Sequence, residues 1–386
     1  MESHAHPSER AGTYVRQPSG YVAFHPAPFP PRDLDLSAGL IAVLSRADRA
    51  LARLDGAATV IPDVDLFLTM YIRDEATRSS QIEGTQATLA DVVEAEVSHL
   101  DSERRDAVAE IQNYVAALDL GLRRLADLPV SLRLLREIHA ELMSGVRGGT
   151  ADRTPGEFRR SQNWIGGSAP SNARFVPPPV EQMHAALHEW EIAIHTQDEL
   201  PPLVRIGLLH AQFETIHPFI DGNGRVGRLL ITFLLTEWGI LRHPMLYLSG
   251  FFRRHVDEYY RRLQLVRDEG DWEGWLSFFL DGVAETAAEA TTTVRAILDL
   301  RERDRQRIAQ LGQRAANAYR LHDHLLSVPL TTAADVQRVL DVSQPTANRL
   351  LRDLGDIGLL TEITGRSRHQ QWVYGDYLGL FRPQER

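Results

Sequence analysis

The side chains best suited to chemistry on a phosphorylated substrate lie in one short stretch, residues 217–228, which reads HPFIDGNGRVGR. Gly222 and Gly224 would let backbone N–H groups approach phosphate oxygens closely, and free N–H groups at a helix N-terminus attract anions. Arg225 and Arg228 carry permanent charge and are neighbours on a helix surface, where each can bind a phosphate through two hydrogen bonds. These residue types predict a triphosphate site.

Two further residues of the stretch could take part in the reaction itself. Asp221 is a hard oxygen ligand of the kind that Mg²⁺ prefers when it bridges phosphates. His217 can be neutral near pH 7 and accept a proton from an attacking hydroxyl. The plain alternative is a structural helix–loop–helix with a histidine on its surface.

The elements around the stretch would position it as a loop between two helices. Residues 204–216 form an amphipathic pattern before it, and apolar residues at i, i+3, i+4, i+7 and i+8 from Val226 give one buried face after it. The loop would therefore present its polar groups at the first turn of the second helix.

The stretch resembles the signature of the Fic family, His-x-Phe-x-Asp/Glu-Gly-Asn-Gly-Arg-x-x-Arg, at every specified position. The resemblance implies transfer of AMP from ATP to a protein hydroxyl, with ATP and Mg²⁺ bound at the loop. The implied roles are as follows: His217 is the general base, Phe219 anchors the loop, Asp221 binds Mg²⁺, Gly222, Asn223, Gly224 and Gly227 belong to the nucleotide cradle, and Arg225 and Arg228 hold the outer phosphates. Arg225 and Gly222 match the AMP-transferring branch rather than the kinase-like branch.

A second motif lies far upstream, at Ser79, Glu83 and Gly84 in RSSQIEG. It resembles the Fic inhibitory motif Ser/Thr-x-x-x-Glu-Gly/Asn. The resemblance implies that Glu83 pairs with Arg228 and thereby displaces the γ-phosphate. Ser79 and Glu83 are also an ordinary i, i+4 pair on one helix face, so the alternative is an exposed pair with no regulatory role.

Residues 163–176 combine a Gly-Gly pair, Ser/Asn turns and two short β-prone pieces, which predicts a small hairpin. In the Fic family a hairpin at this place is the flap that docks the target protein, and a target segment could add to it as a strand. The alternative is a plain surface hairpin.

Other candidate residues have structural readings beside the functional ones. Tyr259 and Tyr260 could contact adenosine, although aromatic residues at that spacing are usually core. His184 and His188 have a spacing that could serve a metal, but they lie on a polar helix face, and we interpret them as solvated.

The composition narrows the class of protein. The chain has 386 residues, 43% of them hydrophobic, no cysteine and a formal charge of −10. Disulfides, thiolate metal sites and a cysteine nucleophile are therefore excluded. We find neither a membrane-spanning apolar run nor a signal peptide, so we expect a cytoplasmic protein without a membrane partner.

We predict a mainly α fold: a Fic-type helical core with a small β-hairpin flap, an N-terminal inhibitory helical region and a C-terminal winged helix-turn-helix. Helices are expected at about 62–82, from Thr88, at 102–127, 130–144, from Val180 and at 284–311. The predicted divisions are an extended tail (1–35), the inhibitory region (36–105), the catalytic core (106–283), a connecting helix (284–312) and the winged helix-turn-helix (313–386).

The C-terminal residues leave the choice of partner open. Thr346, Asn348, Arg349 and Arg352 on the second helix, and Arg366 and Arg368 in the wing, could contact DNA. The acidic residues nearby make the module almost neutral, which favours a protein-binding or dimer-supporting role. The resemblance also implies a homodimer and auto-modification.

The leading hypothesis is an auto-inhibited protein adenylyltransferase. Removal of AMP at the same site, with Glu83 orienting water, is a variant of it. A hypothesis of another class is a nucleotide-sensing, DNA-binding regulator, which would have no need of the base His217.

Overall fold

The computed structural model describes residues 9–31, 33–61, 64–96, 101–145, 154–196 and 199–381. Over these residues the fold is mainly helical, as predicted. The helices are α1 (Ala38–Ala58), α2 (Val64–Ile82), α3 (Leu89–Glu94), α4 (Ser102–Arg124), α5 (Leu132–Leu142), α6 (Val180–His195), α7 (Pro202–Ile216), α8 (Asn223–Glu237), α9 (Ser249–Arg254), α10 (Val256–Glu269), α11 (Trp272–Ala309), α12 (Ala315–Leu325), α13 (Ala333–Leu340), α14 (Gln344–Asp356) and α15 (Gly375–Gly379). Within the described ranges, every helix is too short or too polar to cross a membrane.

The strands form two small antiparallel sheets. One pairs β1 (Gly12–Arg16) with β2 (Val22–Pro26), with Tyr14 opposite Phe24. The other contains β3 (Leu330–Thr332), β4 (Thr361–Glu362) and β5 (Gln371–Val373) in the order β3-β5-β4.

The prediction of an extended N-terminal tail requires correction, because β1 and β2 form a hairpin that packs on the core. Its turn is closed by hydrogen bonds between Gln17 and both Tyr21 and Gly20, with Gly20 at φ +95°. Phe24 is fully buried, and its N–H donates to the Val176 carbonyl at 2.9 Å. Of the prolines that suggested a tail, Pro18 lies in the turn, Pro26 ends β2, and Pro28, Pro30 and Pro31 follow the strand. Residues 1–8 and 32 of the predicted tail lie outside the described residues.

The centre of the fold is α7, whose side chains are buried on nearly all sides. Two tryptophans fix its backbone: Trp190 of α6 donates to the Leu209 carbonyl at 2.9 Å, and Trp275 of α11 donates to the Gly207 carbonyl at 2.8 Å. A helix that is apolar all round must be enclosed by other elements. The loop that follows α7 therefore starts from one of the most constrained points of the chain.

Several predicted helix boundaries are confirmed. Helix α2 ends at Ile82, with Gly84 at φ +99°, which is the left-handed conformation expected after a helix C-terminus. The capping box at Thr88 is present, since Thr88 and Asp91 exchange side-chain-to-backbone hydrogen bonds.

The predicted division between the inhibitory region and the catalytic core, at residues 105/106, falls inside α4. This helix runs without a break from Ser102 to Arg124.

The predicted connecting helix begins earlier than expected. Helix α11 runs for 38 residues from Trp272 and packs along α1, so it belongs to the core as well as to the connection. Gly282 lies inside the helix, where a Cβ would meet the Phe251 ring at 2.7 Å. That glycine permits a close helix crossing and does not end the helix.

The C-terminal module, residues 313–381, contains the elements expected of a winged helix-turn-helix. Helix α13 starts at a Thr332–Asp335 capping box, and Asp341, at φ 54°, turns the chain into α14. Strands β4 and β5 follow, and Trp372 packs against Gly355 of α14. We keep winged helix-turn-helix as the interpretation of this module.

The crossing of α4 and α8 depends on a glycine. A Cβ at Gly121 would lie 2.2 Å from the Phe233 ring, whereas one at Gly56 of α1 would have no atom within 4 Å. We expect Gly121→Ala to lower the free energy of unfolding by about 1–3 kcal/mol despite alanine's better helix propensity. Gly56→Ala should raise it by about 0.5–1 kcal/mol. Urea unfolding of both variants tests this, and a stabilised Gly121→Ala would contradict the close crossing.

Candidate active site

The loop between α7 and α8 contains the predicted signature. His217 ends α7 in the left-handed conformation at φ 50°, and its N–H still donates to the Phe213 carbonyl at 2.9 Å. Gly222, at φ 79°, returns the chain to α8, whose first turn starts at Asn223. The two left-handed residues bend the backbone sharply enough for the loop to lie over the N-terminus of α8.

Asn223 closes this loop from within. Its Oδ1 accepts from the Phe219 N–H, and its Nδ2 donates to the Phe219 carbonyl, both at 2.8 Å. The side chain is buried and both ends of its amide are used. Asn223 was predicted to belong to the nucleotide cradle; its side chain closes the loop, so only its main chain could face a nucleotide. Phe219 is fully buried, at the position expected of an anchor.

Two residues that the sequence analysis did not single out hold the loop from the flap side. Arg159 donates from Nε to the His217 carbonyl at 3.0 Å. Asn163 donates to the carbonyls of His217 and Phe219 at 3.1 and 2.8 Å. Arg159 is fully buried although it is charged, so its hydrogen bonds to carbonyls are what compensate for its loss of water. Both residues lie in the sequence stretch GEFRRSQNW, residues 156–164, which is the feature of the sequence that could have drawn attention to them.

His139 of α5 is a third support, and its tautomer follows from its partners. The Gly156 N–H donates to Nδ1 at 2.9 Å, so Nε2 carries the proton and donates to the Asp221 carbonyl at 3.0 Å. The ring stacks on Phe219 with centroids 3.8 Å apart. Burial lowers the pKa of His139 to about 4, which keeps the ring neutral. Its role is to position the loop.

His217 is held in the form that a general base requires. Burial, together with the positive charges of Arg267 and Arg159, lowers the pKa of His217 to about 3. The imidazole is therefore neutral near pH 7 and has a lone pair for a proton. The neutral form predicted from its residue type is the form that this environment favours.

Arg225 is buried and poorly compensated by the protein. Its exposed fraction is 5%, its Nη2 lies 3.9 Å from Asp221 Oδ1 and 3.7 Å from Met143 Sδ, and its Nε has no hydrogen-bond partner among the described residues. A buried guanidinium normally has its donors satisfied. The arrangement suits an additional anion at this position.

The donors of Arg228 are satisfied by Ser79 and Glu83 of the second predicted motif. Its Nε donates to Ser79 Oγ at 2.8 Å, and Nη2 donates to the Ser79 carbonyl at 3.0 Å and to Glu83 Oε1 at 2.7 Å. Burial lowers the pKa of the Arg228 guanidinium, but the charge and hydrogen bond of Glu83, together with Tyr259 and Tyr114, outweigh this effect and raise the pKa. We call these three hydrogen bonds the inhibitory contact, after the role that the resemblance implies for Glu83.

The carboxylate of Glu83 also lies directly over the loop. A Cβ on Gly224 would be 2.3 Å from Glu83 Oε1 and 3.0 Å from Arg228 Nη1. Gly224 therefore leaves open the space that Glu83 now fills. An anion bound against Gly224 and Arg228 would have to displace that carboxylate.

Glu75, one helical turn before Ser79, anchors the inhibitory helix in the core. It accepts hydrogen bonds from Tyr114 of α4 at 3.0 Å and from the hydroxyl of Ser249 in α9. Burial raises the pKa of Glu75. The sequence showed only a glutamate at the i−4 position from Ser79, and this spacing places 75, 79 and 83 on one helix face.

Gly227 lies on the inner side of α8, away from the loop. A Cβ there would meet Glu214 Oε1 at 2.4 Å, so Gly227 makes room for a buried carboxylate rather than for nucleotide, contrary to its predicted role. Glu214 Oε1 is buried without a hydrogen-bond partner in the described part of the chain. Burial raises the pKa of Glu214 to about 7, against the opposing charge of Arg228.

The two tyrosines considered as contacts for adenosine differ in their exposure to solvent. Tyr259 is 1% exposed and its hydroxyl contacts His210 Nε2 at 3.0 Å, so it belongs to the core. Tyr260 is 37% exposed and remains accessible. His184 and His188 belong to no group of three potential metal ligands among the residues described.

The predicted flap contains one β-bridge, between Ile165 and Phe175, rather than two full strands. A 3-10 turn at Pro170–Asn172 joins its arms. Trp164 is 39% exposed next to the bridge, and Phe175 is buried against Arg267, whose guanidinium carbon lies 3.9 Å from the ring centroid. One arm is thus fixed to the core while the other faces solvent.

The buried Glu214 should make stability depend on pH. The pKa of Glu214 is raised in the folded state, so between the ordinary glutamate pKa and about pH 7 the folded protein binds more protons than the unfolded protein. The stability that this gives is fully present below the ordinary glutamate pKa and is lost as the pH rises through 7. The difference in unfolding free energy between Glu214→Gln and wild type should therefore shift by roughly 1–3 kcal/mol in favour of the variant when the pH is raised from 5 to 8. Urea unfolding at both pH values measures it.

The exposed Glu199 provides the control, since Glu199→Gln should show no such pH-dependent gain. An equal stability difference between Glu214→Gln and wild type at pH 5 and pH 8 would contradict a raised pKa at position 214.

Comparison with known proteins relates this site to a family. Residues 41–123 match the model described as Fic/DOC family N-terminal, and residues 129–235 match the model described as Fic/DOC family. The second match contains the whole loop, and the first contains Ser79 and Glu83.

Curated relatives carry the name protein adenylyltransferase Fic. The protein from Drosophila grimshawi is 30% identical over 211 residues, which is 53% of this chain and 40% of that protein. The one from Drosophila virilis is 30% identical over 209 residues, with the same coverage. The chain thus spans about 40% of the length of these relatives.

Solved structures share the fold. A Fic family protein from Desulfovibrio desulfuricans G20 superposes with a TM-score of 0.58 at 21% identity, covering 89% of this chain and 98% of that one. A Fic domain containing signaling protein from Bacteroides thetaiotaomicron VPI-5482 gives 0.54 at 17% identity, covering 64% and 95%. With two matching family models, homologous relatives and a common fold around the loop, the chain belongs to the Fic/DOC family.

Proposed function

We propose that this protein is a protein adenylyltransferase that the inhibitory contact holds in check. The observation that supports this best is the position of Glu83, which lies against Gly224 and Arg228 where an outer phosphate would bind. A neutral His217 stands at the other end of the same loop. The names of the Drosophila relatives support the same activity.

In the proposed reaction, the oxygen of a target hydroxyl attacks the α-phosphorus of ATP. The bond from that phosphorus to the bridging oxygen breaks, and pyrophosphate leaves. His217, whose ring is neutral, accepts the hydroxyl proton, and the negative charge of bound phosphates would help to stabilise the protonated ring. Arg225 and the N–H groups at the start of α8 hold the phosphate oxygens, and Arg228 joins them once Glu83 has moved away.

Asp221 is the residue suited to Mg²⁺. Its side chain is 38% exposed at the loop, and the described residues place no set of three metal ligands there. Mg²⁺ commonly binds through one or two carboxylates, waters and substrate phosphates, so a single carboxylate fits a metal that arrives with the nucleotide. When bound, Mg²⁺ would neutralise phosphate charge.

The target protein would dock at residues 163–176. The exposed arm of this flap, with Trp164 and Ile165, offers a main-chain edge beside the loop, and an extended segment could add to it as a strand. Asn163 begins this arm and bonds the His217 carbonyl, so the flap and the base are directly connected. Homodimer formation and auto-modification stay predictions.

Glu83→Gly should raise the transfer of label from α-labelled ATP to protein, because it frees Arg228. Adding His217→Ala to this variant should lower the labelling by about 10²–10⁴-fold through loss of the base. Gel autoradiography of wild type, the single variant and the double variant measures both effects in the presence of Mg²⁺.

Two control reactions accompany the assay, one without Mg²⁺ and one with γ-labelled ATP in place of α-labelled ATP. The γ-label should not reach protein, because it leaves with pyrophosphate. If no variant transfers α-label although ATP binds, the adenylyltransferase proposal fails. If Glu83→Gly labels no more than wild type, the inhibitory role fails.

A second candidate function is DNA binding by the C-terminal module. It is favoured by the local partners of the module's acidic residues. Acidic residues of the module are engaged locally: Asp335 pairs with Arg338, Asp353 with Arg314, Asp376 with Arg303, and Glu362 accepts from Thr364 and Gly365. The exposed arginines 349, 352, 366 and 368 have no ion pair within the described ranges. A nearly neutral module can therefore present a basic surface on α14 and the wing.

This DNA function would follow from the spacing on α14. Thr346, Arg349 and Arg352 recur every three residues on its exposed side, opposite the buried Ala347 and Leu350. The second helix of a helix-turn-helix commonly enters the major groove. Such a surface would give salt-dependent binding to duplex DNA.

The combined substitution Arg349→Ala/Arg352→Ala should reduce the slope of log affinity against log salt by about 2, that is, by about 1 for each lost phosphate contact. Fluorescence anisotropy with a labelled duplex measures the slope. Arg338→Ala is the matched control, because that arginine is already paired with Asp335. Absence of binding by wild type at low salt would remove this candidate.

A further inference from the structure

The inhibitory helix α2 has a second set of partners, in the C-terminal module. Arg73 donates from Nη1 to the Ser327 carbonyl, between α12 and β3, at 2.6 Å. Arg78 donates from Nη2 to the Phe381 carbonyl at 3.2 Å, while its Nε pairs with Asp74 at 2.7 Å. Two arginines of the helix that carries Ser79 and Glu83 are thus fixed to main-chain groups far away in sequence.

An aromatic contact joins the same two parts. Tyr71 meets the Phe381 ring edge-on with centroids 5.3 Å apart, and Phe381 meets Tyr377 of α15 at 5.4 Å. Phe381 is 5% exposed, so the contact is well buried. Buried aromatic pairs of this geometry add to the stability of an interface.

Beside these contacts the packing is open. A cleft of about 810 Å³ lies between α2, α9, α11 and residues 380–381, and Tyr71, Asp74, Arg78 and Phe381 line it. The C-terminal residues 380–381 therefore hold α2 by these few direct contacts, while α4 and α9 pack against its other sides. When so few groups join two elements, removal of one should have a measurable effect on their relative position.

We propose that the C-terminal module controls the inhibitory contact by holding α2 in place. Arg73 lies in α2 and Glu83 follows directly after its end at Ile82, ten residues and roughly 15 Å along the axis from Arg73, and a helix of this length moves as a unit. A partner that draws the module away from Arg73 and Phe381 would loosen α2 and free Arg228. This inference rests on the proposed function for its effect on activity, but not for its effect on α2.

Two variants test the proposal: Arg73→Ala removes the bond to Ser327, and Phe381→Ala removes the ring contact with Tyr71. Hydrogen exchange of the full chain should show amides 75–83 exchanging about fivefold faster or more in each variant. Labelling from α-labelled ATP should rise by a similar factor when Glu83 is present. In the Glu83→Gly background the same substitutions should add nothing, since the inhibitory contact is already gone.

The controls separate this effect from general damage. Arg73 also pairs with Glu96, so Glu96→Gln removes that ion pair and leaves the bond to Ser327 intact. Arg320→Ala removes an arginine-to-carbonyl bond inside the module, to Leu340. Neither control should alter exchange at 75–83.

Unchanged exchange at 75–83 in both Arg73→Ala and Phe381→Ala would overturn the inference. So would a rise in labelling that persists in the Glu83→Gly background, because the module would then act elsewhere. If Glu83→Gly itself transfers no label, the proposed function fails, and the exchange data alone still decide whether the module holds α2.

Discussion

A buried arginine requires hydrogen-bond acceptors for its donors, and for Arg228 this requirement organises the site. Arg228 is 3% exposed in the first turns of α8, where a lone charge would cost several kcal/mol. Ser79 and Glu83 supply the missing acceptors from a helix almost 150 residues earlier in the chain. The position of α2, its anchoring by Glu75 and the absence of a side chain at Gly224 are all consistent with this pairing.

The loop is held by a different means, through hydrogen bonds to its main-chain carbonyls. His139, Arg159 and Asn163 each donate to a carbonyl of residues 217–221, and Asn223 closes the loop from within. Within the loop, the Phe219 N–H donates to Asn223 Oδ1 and the Gly222 N–H donates to Asp221 Oδ1 at 2.6 Å. The supporting bonds make the loop rigid, and the donors left to face a ligand are those at the start of α8 and the two arginines.

Local patterns predicted much of this arrangement. The loop between two helices, the end of α2 before Gly84 and the capping box at Thr88 each depend on residues close together in sequence, and they were found as expected. The supports of the loop could not be predicted in the same way, because an arginine or histidine reveals its partner only when the chain is folded. The N-terminal hairpin was missed since its strands are short and flanked by prolines. The start of α11 was missed because Gly282, which usually suggests a boundary, serves a helix crossing.

The partial exposure of Glu83 has a consequence for how completely the inhibitory contact is formed. Its carboxylate is 36% exposed, so water competes for the bond to Arg228. A charged hydrogen bond screened in this way contributes roughly 1–3 kcal/mol, which corresponds to about one molecule in six to one in 160 with Glu83 detached from Arg228 at any moment. The resting protein would then have a basal leak set by an equilibrium, and small changes in that equilibrium would be amplified into large relative changes in output.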